Sequence, residues 1–110
     1  MSALYVMRFL GSSGVGSGVL YVGKGIVLGI DEGGARYSGT YTGKDGRFRG
    51  QATLSAPAGA TLVTGQQANQ AMVIPLSVDW PANFADGNAQ SIGVDGKPVN
   101  VTFEKLGDTP

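Results

Sequence analysis

The sequence predicts an all-β fold, an eight-stranded antiparallel up-and-down barrel. Three observations carry this. Apolar and polar residues alternate with period two along most of the chain, as they do in half-buried strands. Nineteen glycines and five prolines among 110 residues break the alternation at short intervals, as hairpin turns do. No stretch of useful length shows the periodicity of an amphipathic helix. A chain of this size has room for one core, so one barrel domain is expected over residues 1–106, with a short tail at 107–110 that frays.

The first strand, residues 3–10, sends Tyr5, Met7 and Phe9 to one face and Leu4, Val6 and Arg8 to the other. A Gly-Ser-Ser-Gly turn at 11–14 leads to a second strand through Val15, Val19 and Tyr21. Gly-Lys-Gly at 23–25 turns the chain into a third strand at 26–30, which Asp31-Glu32-Gly33-Gly34 ends. The fourth strand places Tyr37, Gly39 and Tyr41 opposite Arg36, Ser38, Thr40 and Thr42. After the Lys44-Asp45-Gly46 hairpin, Phe48, Gly50, Ala52 and Leu54 alternate with Arg47, Arg49, Gln51 and Thr53, the cleanest inside-outside pattern in the chain.

A longer connection covers residues 56–69, and the sixth strand, 71–78, carries Met72, Ile74, Leu76 and Val78 on one face. Pro75 lies within it and lacks the donor a central ladder needs, so this strand belongs at an edge, a bulge or a gap. Trp80-Pro81 and Asp86-Gly87 lead to a seventh strand near 88–94. Asp95-Gly96 marks a two-residue hairpin before a last strand in which Val99, Val101 and Phe103 alternate with Asn100, Thr102 and Glu104. Closing such a meander removes its exposed edges. Glycines 16, 18, 29, 39 and 50 fall inside strands, where they serve sharp curvature or leave interior space.

The composition excludes much chemistry. With no cysteine and no histidine, disulfides, thiolate nucleophiles, Ser-His-Asp machinery and most transition-metal sites are gone. No cofactor and no metal are expected. Formal net charge is zero, so no global field draws the protein to nucleic acid or to an anionic membrane. The first half holds six basic and three acidic side chains and the second half two and five, a balance of +3 against −3 that either orients a partner or is balanced within the molecule. Arg8 interrupts the N-terminal apolar stretch and no apolar run is long enough to span a bilayer, so a cytoplasmic location is expected.

Individual motifs weigh little. Residues 18–25 approximate a phosphate loop, but Gly25 stands where the magnesium-binding hydroxyl belongs and the middle of the motif is strand-like. Asp31-Glu32 reads as a solvated turn rather than a catalytic or cation-binding pair. The sequon at Asn100 sits in a strand. Lys44, Arg47 and Arg49 lie near Tyr37, Tyr41 and Phe48, but alternation puts Arg47 and Arg49 on the face opposite Phe48, which argues against a stacking platform for nucleic acid. From Gly50 to Val78 the chain carries no charge at all. Within it, Leu62 and Val63 either pack on their own barrel, cover its mouth or make a subunit contact.

Several pieces of the chain resemble the GrlR family, negative regulators of type III secretion. These are the opening strand with Tyr5 and Phe9, the glycine-rich turn into Gly18-Val19-Leu20, Gly29-Ile30-Asp31, Tyr37-Ser38-Gly39 with a polar hairpin behind it, and Met72-Val73-Ile74-Pro75. The resemblance implies a lipocalin-like barrel, a homodimer and regulation through a protein partner. In the family an acidic loop on the hairpin after the Tyr-x-Gly strand captures a transcriptional activator. The matching hairpin here is Gly43-Lys44-Asp45-Gly46, with Asp45 its only acid.

Two functions therefore stand out, both non-enzymatic. The first is a GrlR-like regulator whose partner contacts are Lys44, Asp45 and Arg47. The second is a lipocalin-like carrier or sensor of a small apolar molecule. Its ligand-lining residues would be Tyr5, Met7 and Phe9 from the first strand, then Tyr37, Tyr41, Phe48 and Leu54. Met72 and Ile74 from the sixth strand and Val101 and Phe103 from the last complete the set. An interior of eight strands is either filled by such side chains or holds one small ligand. An enzyme ranks third, because no two acid/base groups form an evident pair.

Overall fold

The computed structural model of the chain describes residues 2–110 and contains eight strands in one antiparallel sheet. They are β1 (Ser2–Gly11), β2 (Gly14–Gly23), β3 (Ile26–Asp31), β4 (Arg36–Lys44), β5 (Arg47–Ala56), β6 (Met72–Pro81), β7 (Gln90–Val94) and β8 (Lys97–Thr109). Each strand from β1 to β5 pairs with the next, and β8 pairs with both β1 and β7. The expected up-and-down barrel follows, its circle complete except for one seam. Among the described residues no helix is long and apolar enough to cross a membrane.

Turn chemistry sets three of the hairpins. Lys24, Asp45 and Asp95 have φ of 54°, 56° and 52°, and each precedes a glycine that is also at positive φ. Two consecutive left-handed residues are what a two-residue hairpin needs to match the right-handed strand twist.

The seam lies between β6 and β7, which end the hydrogen-bonded order. Pro75 sits there on β6, paired with Thr53 of β5 on its one laddered side. The indole N–H of Trp80 bridges the seam by donating to the Ser91 carbonyl at 3.0 Å. β6 is longer than expected, since Trp80 and Pro81 end it rather than open the connection to β7.

The tail also differs from expectation. Instead of fraying, residues 107–109 extend β8, with Gly107, Asp108 and Thr109 opposite Leu4, Ala3 and Ser2. A register shift leaves Leu106 unpaired and exposed between the two parts of the ladder. The end is held by Ser2 Oγ, which donates to the carbonyls of Thr109 and Pro110, and by Thr109 Oγ1, which donates to Ser2 Oγ. β1 needs a partner along its whole length, and that need outweighs the weak local propensity of the tail.

The inner face alternates large and small residues across strands. Phe9 faces Gly16, Met7 faces Gly18, Tyr37 faces Gly29 and Tyr41 faces Gly50. A Cβ at Gly16 would fall 2.3 Å from the Phe9 ring, so the glycine accommodates the aromatic side chain across the ladder. The strand glycines thus serve the interior as well as the bend.

Charge is balanced across the halves of the chain. Arg8 pairs with Glu104 at 3.0 Å, and Asp79 with Arg47 at 2.9 Å and Arg49 at 3.4 Å. These pairs join the basic first half to the acidic second. All are solvent-exposed and contribute little to stability.

Candidate functional site

The interior holds a cavity of about 530 Å³, within the roughly 300–1,000 Å³ range of small-molecule sites. Its floor is aromatic. Phe48, Trp80 and Phe103 line it, and Phe84, from the connection between β6 and β7, packs beneath with ring centroids 4.6 Å from Phe48 and 5.2 Å from Phe103. Tyr5 and Tyr41 extend the cluster, at 5.6 Å from Phe84 and 5.1 Å from Phe48 respectively. This packed end closes the barrel.

A strap formed by residues 57–71 covers the opposite end. It folds back on itself through Gly59 N–H to Ala68 O, Ala68 N–H to Ala60 O and Leu62 N–H to Gln66 O. Both sides of the mouth anchor it. Ser13 N–H donates to Val63 O at 2.8 Å, Ser12 Oγ donates to Thr64 O, and Gln66 Nε2 donates to Asp95 Oδ2 at 3.0 Å. Gly11 makes the crossing possible, because a Cβ there would lie 2.4 Å from the Val63 carbonyl oxygen. The uncharged connection is therefore a cover packed on its own barrel, with Ala60, Leu62, Val63 and Thr64 among the cavity walls.

The third part of the mouth is the turn between β3 and β4. Asp31 organises it, with Oδ1 accepting from the N–H groups of Gly33 at 2.9 Å and Ala35 at 3.0 Å. Its Oδ2 accepts from the Tyr37 hydroxyl at 2.7 Å. Burial, reinforced by this bond to a carboxylate, pushes the Tyr37 hydroxyl far above its ordinary range. The cavity thus has apolar walls, a polar rim of Asp31, Glu32, Tyr37, Thr61 and Thr64, and no lysine or arginine among its lining residues.

Of the residues expected to line a ligand site, Met7, Phe9, Tyr37, Phe48, Leu54, Val101 and Phe103 do line the cavity. Tyr5 and Tyr41 do not, because they belong to the aromatic plug. Ile74 is buried in the core and Met72 packs against it, so neither reaches the cavity wall. Val78 already stood on the inward face of β6, and Trp80 was legible as the next inward position had the strand been carried two residues further along the same alternation. Of the strap residues, Leu62 and Val63 stood out as apolar positions in the uncharged connection, while nothing local marked Ala60, Thr61 and Thr64, which have no strand period.

The hairpin residues divide. Lys44 and Asp45 are exposed at its tip and, among the described residues, have no side-chain hydrogen bond or ion pair. Arg47 is engaged, with Nε donating to Asp79 Oδ1 and Nη2 to the Asp79 carbonyl, both at 2.9 Å. The Arg47 guanidinium, with Arg49 adding to it, holds the Asp79 carboxyl below its ordinary value. Phe48 is buried while Arg49 is exposed, so the basic and aromatic groups share no platform.

The outer face of β1 to β3 is apolar instead of polar. Leu4, Tyr21 and Leu28 form one cross-strand row and Val6, Val19 and Ile30 the next, and Leu4, Val19, Leu28 and Ile30 are exposed. Among the described residues no group of three or more acidic side chains is placed to hold a metal. No family model, curated protein or solved structure matches the chain.

Proposed function

We propose that this chain is a non-enzymatic binding protein that holds a small, mainly apolar molecule inside its barrel. The cavity carries the reading. Its walls are mostly apolar, and the polar side chains that line it are few. Water satisfies such a space only where it finds two to four polar partners, so an apolar occupant is favoured over water along most of the wall. The Asp31–Tyr37 bond builds the rim, the hydroxyl being committed as a donor to the carboxylate.

Trp80 is the single tryptophan and lines the cavity, so its emission reports occupancy directly. Titration with the neutral fluorophore N-phenyl-1-naphthylamine should quench Trp80 saturably at one equivalent. Absence of both quenching and probe uptake by delipidated protein would overturn the reading.

A second reading, regulation of a protein partner in the GrlR manner, draws support from the unengaged tip of the β4–β5 hairpin, Lys44 and Asp45. Arg47 contributes less to it, being committed to Asp79. Charge reversal Lys44→Glu should abolish capture of that partner while the barrel still melts normally; equal capture by both proteins would refute it. The homodimer that the same resemblance implies would bury the apolar rows on β1 to β3, and sedimentation velocity tests it.

A further inference from the structure

We infer that the occupant is an apolar amine, a molecule with a hydrocarbon body and a cationic head, and that the cavity discriminates against fatty carboxylates. This deepens the cavity reading and rests on it. The body is specified by the walls and the aromatic floor. The head is specified by the rim, where every ionisable group that lines the cavity is an acid or a tyrosine.

Donor and acceptor chemistry gives the sign. Glu32 is exposed and has no side-chain hydrogen bond or ion pair among the described residues, while its backbone N–H is fixed to Ser17 O at 2.9 Å. The turn therefore holds the backbone of Glu32 in place and leaves its carboxylate unneutralised. Asp31 adds a second carboxylate whose Oδ2 accepts one bond, from Tyr37, and an sp² carboxylate oxygen has room for a further donor. Thr64, 5% exposed, lines the same end, and its Oγ1, a hydroxyl that either donates or accepts, is itself buried without a partner. The charged groups with unused capacity are thus both carboxylate acceptors, and an ammonium supplies donors only. A carboxylate brought to this rim would meet two like charges, and its only side-chain donors outside the Tyr37–Asp31 bond would be the weak ones of the threonine hydroxyls. Exposed charges act modestly, attracting a cation and repelling an anion by similar amounts, so the amine should exceed the carboxylate by about tenfold at low ionic strength.

The test uses three probes with the same ten-carbon chain, decylamine, decanol and decanoate, titrated against Trp80 emission at neutral pH and low salt. The expected order of affinity is amine, alcohol, carboxylate, with the amine-to-carboxylate ratio near tenfold and shrinking as salt is added. Glu32→Lys, checked for an unchanged melting profile, should bring that ratio close to one. Decanoate binding as tightly as decylamine to the unsubstituted protein, or a ratio insensitive to Glu32→Lys, would overturn the inference while leaving the cavity reading intact. Failure of all three probes to bind would overturn the cavity reading and this inference with it.

Discussion

Filling the cavity from its wall should stabilise the barrel and disable uptake at the same time. Ala52 lies on β5 between Gly39 and Leu76, packs against the core and lines the void. Ala52→Leu adds three carbons. At about 0.8 kcal/mol per buried CH₂, transfer of these atoms into empty apolar space is worth about 2.4 kcal/mol. For a domain of this size, at roughly 4 °C per kcal/mol, the unliganded protein should melt about 10 °C higher. The same substitution removes ligand space, so N-phenyl-1-naphthylamine should quench Trp80 more weakly. Thermal unfolding by far-ultraviolet circular dichroism and the Trp80 titration measure the two effects. A well-packed interior would respond with the opposite sign, because overpacking costs about 1–3 kcal/mol. A lower melting temperature for Ala52→Leu would therefore refute the existence of usable space at this wall. Gly50 is a tighter point on the same wall, since a Cβ there would fall 3.3 Å from Val78 Cγ2 and 3.4 Å from the Phe48 ring, so these side chains must yield before a methyl group fits.

Gly11→Val should lift the strap, since its Cβ would collide with the Val63 carbonyl; stopped-flow release of a bound fluorophore should accelerate, and an unchanged rate would mean the strap does not control the mouth. Trp80→Phe keeps the aromatic floor but leaves the Ser91 carbonyl without its donor at the seam, a loss of about 1–2 kcal/mol readable by urea denaturation. Tyr37 provides a pH signature. Its hydroxyl ionises near pH 10 in the unfolded chain and far higher in the folded one, so above about pH 10 the folded state binds the extra proton. Stability should then fall with rising pH by up to about 1.4 kcal/mol per unit from this group. Tyr37→Phe should flatten that alkaline slope, and identical slopes in the two proteins would contradict the assignment.

Period-two alternation and the Lys-Gly and Asp-Gly turns made the strands legible because both are local. An inward residue at one position forces its neighbours outward, and a left-handed pair at a turn commits the flanking strands to a hairpin. Pro75 announced an edge, a bulge or a gap for the same reason, as the missing donor is a property of the residue itself. The Asp31–Tyr37 pair escaped notice because six positions of turn and strand separate residues that meet only when β4 folds back along β3. Leu62 and Val63 were legible as a cover among other readings, but the strap's anchors escaped because its hydrogen bonds run to turns distant in sequence, at 12–13 and 95, and no periodicity encodes them.

By itself the sequence determined an all-β meander of eight strands, its inner and outer faces, and a chemistry without histidine or cysteine. These follow from backbone geometry and from composition, which each residue carries with it. Only the tertiary structure decided that the circle closes except at β6 and β7, that the tail extends β8, and that the interior is plugged at one end by Phe84 and Trp80 and left open toward a strapped, acidic rim. Those outcomes depend on how volumes sum across strands that are remote in sequence, and on whether the inward side chains fill the barrel or fall short by the size of a ligand.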